Sequence, residues 1–134
     1  MARRRHLSRI AVMQTLFEGG ARLVDREASL ERNCAGQDGE ADLDFARALL
    51  KGVVEHEDAI RDIVQKHAPG WTLERMDPVS RCTLLIGCFE LLFAKDAPPA
   101  VVMNESIEIA KEFGTSESGK FVNGVLNAIA QEKK

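Results

Sequence analysis

The feature that most constrains this fold is a mid-chain segment that is apolar almost all the way round. The segment VSRCTLLIGCFELLFA, residues 79–94, directly follows Asp77-Pro78. Aspartate is a favoured N-cap and proline a favoured first helical residue, so this pair predicts the start of a helix. A helix with apolar residues on every side must be buried, and we therefore expect it at the centre of a helical bundle.

The rest of the chain also has helical rather than β-strand periodicity. Residues 7–19 predict a helix that ends at Gly19-Gly20, residues 21–34 a weaker one, and CAGQDGE a loop. Residues 42–68 predict one long helix, or two joined near Gly52, with Asp42 or Asp44 as N-cap. We expect an all-α protein of about six or seven helices with short connections.

The stretch GTSESGKF, residues 114–121, resembles a phosphate-binding loop. Phe121 stands where the loop pattern requires Ser or Thr, and no strand precedes the stretch. We interpret it instead as a turn between two helices. In this interpretation Gly114 ends one helix in a left-handed conformation and Ser116 is the N-cap of the next.

Both helices flanking this turn are predicted to be amphipathic. Lys120 and Asn123 fall on the face away from the apolar stripe of the second helix. The predicted inward positions are Val102, Ser106, Ile109 and Phe113 before the turn, and Phe121, Val122, Val125, Leu126 and Ile129 after it.

Composition favours one soluble domain covering residues 1–134, with no membrane span, signal peptide or metal centre. Hydrophobic residues make up 45% and charged residues 29% of the chain, and no apolar run is long enough to span a bilayer. Three cysteines without C-x-x-C spacing suit a reducing cytoplasm, with Cys82 and Cys88 in the core. His56 and His67 lack an obvious third ligand, so we expect structural roles for both.

Charge is unevenly distributed along the chain. Residues 1–9 carry four arginines and no acid, whereas residues 25–62 carry eleven acids against five bases. A basic arm on an acidic body indicates an anionic partner, with nucleic acid the first candidate, although a solvated terminus would give the same pattern.

Residues 101–129, VVMNESIEIAKEFGTSESGKFVNGVLNAI, closely resemble the C-terminal signature of the NusB transcription antitermination factors. The resemblance extends over nearly the full chain. The matching pieces are Arg5 to Phe17, Trp71 with Leu73, Glu74 and Arg75, then Leu84, Glu90, Leu91, Pro98-Pro99, Asn104-Glu105, Ala110-Lys111, Phe113-Gly114, and Lys120 to Leu126.

This resemblance implies a compact all-helical protein built as two crossed sub-bundles. It implies a non-catalytic factor, without cofactor, that binds the single-stranded boxA RNA of ribosomal RNA operon leaders. The RNA would be bound together with NusE, a small-subunit ribosomal protein, in an antitermination complex with RNA polymerase. A homodimer is a further state that the family allows.

Single-stranded RNA is usually bound by cations along the phosphates and by flat groups against the bases. The arm supplies cations, and Lys120 lies where helix N–H groups also attract phosphate. Phe121 either stacks on a base or belongs to the core, and Lys120 and Asn123 could simply be solvated. The predicted RNA-binding residues are Arg3, Arg4, Arg5, His6, Arg9, Gln14, Lys120, Phe121 and Asn123.

The resemblance also implies a NusE surface along the first and central helices. Leu85 stands where many relatives have Arg, Ile10 where many have an acid, and Phe17 where many have Tyr, which concerns this surface more than the fold. The predicted partner-binding residues are Phe17, Glu18, Arg75, Ser80 and Arg81.

Two other functions compete with RNA binding as interpretations of the sequence. NusB-like domains also occur fused to a ribosomal RNA methyltransferase, but the chain has no Gly-rich cofactor motif or catalytic cysteine segment. A purely protein-binding role, with a homodimer covering the arginine arm, would leave binding far less sensitive to salt.

Overall fold

The computed structural model describes residues 2–21, 25–37, 40–94 and 97–133. These residues form seven α-helices and no strand, which confirms the all-α prediction. A 3₁₀ turn, Leu73–Arg75, precedes α5, and a π-helical turn, Glu90–Ala94, follows it. The helices are α1 Ala2–Ala21, α2 Arg26–Ala35, α3 Leu43–Glu55, α4 Glu57–Lys66, α5 Pro78–Phe89, α6 Pro99–Phe113 and α7 Ser116–Lys133.

The chain folds as two compact units, Met1–Val54 and Glu55–Lys134. None of the helices that the structure describes is both long enough and apolar enough to cross a membrane.

In the first unit, α1 packs against α2. α1 starts at Ala2 and includes both Gly19 and Gly20, so the predicted end at these glycines is wrong. The face of α1 that carries Ile10 is buried. The side-chain amide of Asn33, on α2, donates a hydrogen bond of 3.0 Å to the hydroxyl of Thr15 on α1. Packing against α2 therefore outweighs the weak helical preference of two glycines.

The start of α3 is fixed by Asp42. Its carboxylate accepts from the backbone N–H of Phe45 at 3.1 Å, which makes Asp42 rather than Asp44 the cap. The hydroxyl of Ser8, on α1, accepts from the Asp42 N–H at 2.8 Å and donates to the Asp42 carbonyl at 3.1 Å. One buried hydroxyl thus ties the first helix to the start of the third.

The long helical segment is broken at His56, four residues after the predicted joint at Gly52. In the second unit the His56 ring lies 4.5 Å from the Phe93 ring and 5.6 Å from the Phe89 ring. His67 contacts the Ile63 carbonyl at 2.8 Å and the Glu132 carboxylate at 2.7 Å. Both imidazoles therefore have the structural contacts that were expected of them.

The central helix α5 begins as predicted and is largely buried, but Phe93, near the end of the segment predicted to be buried, is 39% exposed. The carboxylate of Asp77 accepts a hydrogen bond of 2.6 Å from the backbone N–H of Ser80 and so caps the helix. Every residue from Cys82 to Phe89 is buried. The three cysteine thiols are free, and Cys82 and Cys88 are buried as predicted; Cys34, predicted to begin a loop, is buried in α2. The π-helical turn after Phe89 was not predicted, since the apolar pattern is the same for either kind of turn.

The turn between α6 and α7 differs from its prediction in two details. Gly114 has φ −112°, so it is not left-handed; a Cβ there would lie 2.7 Å from the Ser118 hydroxyl and 2.8 Å from the Ala110 carbonyl. Glycine is needed for this close approach. Thr115 is the cap, because its hydroxyl accepts from the Ser118 N–H at 3.1 Å, and Ser116 is the first helical residue.

The predicted buried faces of α6 and α7 are largely confirmed. Phe113 is the exception, because its side chain is 37% exposed, and Phe121 is half-buried. The residues found buried as predicted are Val102, Ser106, Ile109, Val122, Val125, Leu126 and Ile129.

Candidate nucleic-acid interface

The first turns of α1 carry a row of exposed cations. Arg3, Arg4 and Arg5 are all exposed. Arg3 pairs with the Glu40 carboxylate at 3.5 Å, and the Arg4 Nε donates to the Glu40 carbonyl at 3.2 Å. Exposed pairs of this kind contribute little free energy, so both guanidinium groups remain available to an anionic partner.

Two arginines of α1 lie against the ring of Phe45 on α3. The Arg5 guanidinium lies 4.6 Å from the ring centre and that of Arg9 lies 5.2 Å from it. The two arginines are four residues apart, so they share a face of the helix. Arg9 is only 4% exposed, so it supports this face from beneath while Arg5 stays on the surface.

The other predicted residues of α1 differ in accessibility. His6 is half-buried, and Gln14 is half-buried with its carbonyl accepting from the Gln37 amide at 3.4 Å. Phe17 is 43% exposed rather than inward-facing. Glu18 bonds to Arg32 of α2, and this guanidinium lowers the pKa of the Glu18 carboxyl.

The second unit contains a groove of about 430 Å³ where the N-terminal ends of α5 and α7 meet. Trp71 and Phe121 form its aromatic side, with ring centres 5.8 Å apart and planes at 61°. Trp71 is 50% exposed. The lining residues are Trp71, Arg75, Met76, Asp77, Ser80, Thr115, Glu117, Ser118 and Phe121.

The loop before α5 holds Trp71 in place through its backbone. Gly70 has φ +86°, a conformation that glycine adopts without strain, and the Trp71 N–H donates to the Ala68 carbonyl at 3.1 Å. The side chain of Gln65 donates to the Trp71 carbonyl and accepts from the Leu73 N–H at 3.1 Å. These bonds fix the main chain and leave the indole facing solvent.

The floor of the groove is organised by Asp77. Its carboxylate accepts from the hydroxyls of Ser80 at 3.0 Å and of Ser118 at 2.9 Å, as well as from the Ser80 N–H. One side chain therefore joins the first turns of α5 and α7. Ser80 is 1% exposed, so its hydroxyl serves this junction.

The predicted residues of α7 lie at and beside this groove. Lys120 is exposed, and its ammonium lies 3.5 Å from the Glu117 carboxylate, another exposed pair. Asn123 is exposed on the same helix. Phe121, between them in sequence, turns toward the groove.

The structure brings together residues that the sequence assigned to different roles. Phe121, predicted for RNA, lines the same groove as Arg75 and Ser80, predicted for the protein partner. Arg81 is half-buried and donates to the Leu73 carbonyl at 3.3 Å. Sequence reasoning gave no role to Trp71, although an aromatic residue in a Pro-Gly loop was a usable signal.

Comparison with known proteins supports one family throughout. The NusB family model matches residues 6–131. A transcription antitermination protein NusB from Methylacidiphilum infernorum is 44% identical over 91 residues, covering 68% of this chain and 64% of the relative's length. One from Nocardioides sp. is 36% identical over 129 residues, covering 96% and 95%.

A solved structure has the same fold. It is described as antitermination factors NusB and NusE in complex with double-stranded RNA, and it matches with a TM-score of 0.87 at 27% identity, covering 98% of this chain and 99% of that one. With the family match over residues 6–131, this establishes that the chain belongs to the NusB family.

Proposed function

We propose that this chain is a non-catalytic, cytoplasmic transcription antitermination factor. It binds boxA-type single-stranded RNA together with NusE and acts with RNA polymerase. The observation that carries the proposal is the arginine row of α1, where Arg3, Arg4 and Arg5 are exposed and Phe45 orients Arg5. Names of the relatives and the NusB–NusE–RNA complex support the same assignment.

The RNA-binding residues divide into direct and supporting groups. Arg3, Arg4 and Arg5 on α1, and Lys120 on α7, offer exposed charges to phosphates. Phe121 and Asn123 offer a ring and an amide to bases. His6, Arg9 and Gln14 are less accessible, and we give them supporting roles in shaping the α1 surface.

For the protein partner, Phe17 is the strongest candidate of the predicted set. A phenylalanine that is 43% exposed on a helix is an unusual surface residue and a suitable interface anchor. Glu18 and Arg81 are already bonded inside the chain, and Ser80 is buried. We expect Phe17→Ala to weaken NusE binding, measured by calorimetry, while RNA binding by the free chain is unchanged.

The central experiment is a salt-dependent RNA titration. Labelled boxA-type RNA, a scrambled strand and a boxA duplex are titrated with this chain, with and without NusE, and fluorescence anisotropy is read at several salt concentrations. Each phosphate contact contributes a slope of about −0.7 on a log–log plot for a single strand. Preference for the boxA strand with a slope of roughly −2 to −4 supports the proposal.

Charge variants assign the contacts. Replacing Arg3, Arg4 and Arg5 by alanine should reduce the slope by roughly 2, and Lys120→Ala by about 0.7. Lys66→Ala is the matched control, because Lys66 is also exposed but pairs with Glu132 at 2.9 Å away from the groove. Equal weak binding to all three RNAs in the presence of NusE would refute the proposal.

A homodimer that binds only proteins is the second candidate. The apolar side chains of Phe17, Phe93 and Val101, 39–45% exposed, are the observation in its favour. Sedimentation across the same salt series tests it, because an apolar dimer persists at high salt while phosphate contacts are lost.

A further inference from the structure

We propose that the groove between the starts of α5 and α7 receives one unstacked RNA base, and that Trp71 is the surface on which this base stacks. The inference rests on the RNA-binding function proposed above and adds a specificity-determining residue that the sequence did not indicate. Trp71 and Phe121 form the aromatic side of the groove, and Trp71 is 50% exposed.

The geometry of the two rings decides where a base can lie. Their centres are 5.8 Å apart at 61°, so the rings already touch edge to face and nothing flat can insert between them. The exposed part of the indole is the stacking surface, and Phe121 lies beside it. A volume of about 430 Å³ lies within the range of small-ligand sites and accommodates one base.

The charges of the groove favour a base over a phosphate. Two helix N-termini meet here, and such ends normally attract anions. The carboxylate of Asp77 already occupies this position, accepting from Ser80 and Ser118. Glu117 adds a second carboxylate to the lining, and a phosphate would be repelled by both.

The same carboxylates suit the edge of a base. The exocyclic amino groups of adenine, cytosine and guanine are donors, and carboxylate oxygens only accept. The Glu117 side chain is 80% exposed and its pair with Lys120 is also exposed, so little free energy opposes its turning toward such a donor. Uracil has no exocyclic amino group, so the groove should prefer the three amino-bearing bases.

A cation for the phosphate of the bound nucleotide lies next to the groove. Lys120 follows the first turn of α7, directly before Phe121, and its side chain is 76% exposed. Stacking on Trp71 and contact of the backbone with Lys120 are therefore compatible on one nucleotide. They contribute differently to binding, because stacking is almost independent of salt and a phosphate contact is not.

The chain provides its own probe for the test. Trp71 is the only tryptophan of this chain and there is no tyrosine, so the intrinsic emission of this chain, after subtraction of a NusE blank, reports the groove. Single-stranded boxA-type RNA is titrated with the full chain and NusE, following Trp71 emission and the anisotropy of the RNA label. A series of RNAs with one abasic site at each successive position locates the base responsible.

Affinity variants complete the design. Trp71→Ala should weaken RNA binding roughly 5- to 100-fold with the salt slope unchanged, and Trp71→Phe should restore much of the loss. Phe93→Leu is the matched control, since Phe93 is a 39% exposed aromatic residue of the same unit that does not line the groove. Circular dichroism establishes that each variant is folded.

The possible outcomes distinguish failure of this inference from failure of the proposed RNA-binding function. Quenching of Trp71 that disappears with one abasic position, together with the Trp71→Ala loss, supports the inference. Specific, salt-dependent RNA binding with unchanged Trp71 emission and full affinity of Trp71→Ala overturns it and leaves the proposed function intact. Emission that responds to NusE alone assigns the groove to the protein partner and also overturns it. Absence of any specific RNA binding would refute both the inference and the proposed function.

Discussion

Arg5 of α1 lies over Phe45 of α3, with its guanidinium 4.6 Å from the centre of the ring. Such a contact at an exposed site contributes about 0.5–1 kcal/mol and restricts where the charge points. We expect Phe45→Leu to lower RNA affinity about two- to fivefold while leaving the salt slope unchanged, because no charge is removed. Anisotropy titrations at two salt concentrations measure both quantities; a changed slope would mean that Phe45 affects how many phosphates are bound.

A second prediction concerns the caps of two helices. Asp25 caps only α2, accepting from the N–H groups of Glu27 and Ala28, whereas Asp77 caps α5 and also accepts from Ser118 of α7. Asp25→Ala should lower the free energy of unfolding by about 1 kcal/mol and Asp77→Ala by about 2 kcal/mol. Urea unfolding of both variants gives the comparison. Equal losses would show that the bond to Ser118 adds no stability.

Two helical glycines should respond oppositely to alanine. A Cβ at Gly87 would lie 2.9 Å from both the Leu126 side chain and the Ser106 hydroxyl, whereas a Cβ at Gly124 has no neighbour within 4 Å. Gly87→Ala should therefore destabilise the protein by about 1–3 kcal/mol. Gly124→Ala should stabilise it by up to about 1 kcal/mol through helix propensity. Thermal unfolding of the pair checks the signs, and stabilisation by both would mean that α5 and α7 separate at little cost.

Alkaline pH should destabilise the fold through its buried thiols. Burial raises the pKa of Cys82 to about 11 and that of Cys88 to about 12, from an ordinary value of 9.0. Below pH 9 both states keep these protons; above it only the unfolded chain releases them, so stability is lost as pH rises toward the folded pKa values. Unfolding free energies of the wild type and a Cys82→Ala/Cys88→Ala variant, measured between about pH 8 and about pH 11, should converge as pH rises. Parallel curves would contradict this.

Local chemistry made much of the fold predictable from the sequence. α5 starts at Pro78 as expected, because the capping residue Asp77 directly precedes it. The residues from Cys82 to Phe89 are buried, because a helix that is apolar on every side favours burial. Gly114 shows where this reasoning stops. It looked like a left-handed helix end, but the tight approach of Ser118 and Ala110, each four positions away, is the reason for glycine there. Residue type alone does not reveal how closely these groups approach.

The candidate site was predictable in part for the same reason. Charge patterning found the arginine row, because charge is a property of the residues themselves. The burial of Arg9 and the exposure of Phe17 depend on packing between helices, which charge and residue type alone do not reveal. Trp71 acquires its significance only beside Phe121, fifty positions away in the chain and 5.8 Å away between ring centres.

The bond between Asp77 and Ser118 also bears on how the length of this chain can vary. It holds together two positions that are 41 residues apart, so the polypeptide between them is a closed loop. The entropy of closing a flexible loop grows slowly, by about 0.6 kcal/mol for each doubling of its length. Insertions between the π-helical turn and α6 should thus be tolerated at little thermodynamic cost. The groove should keep its dimensions in relatives whose segment between α5 and α6 differs in length.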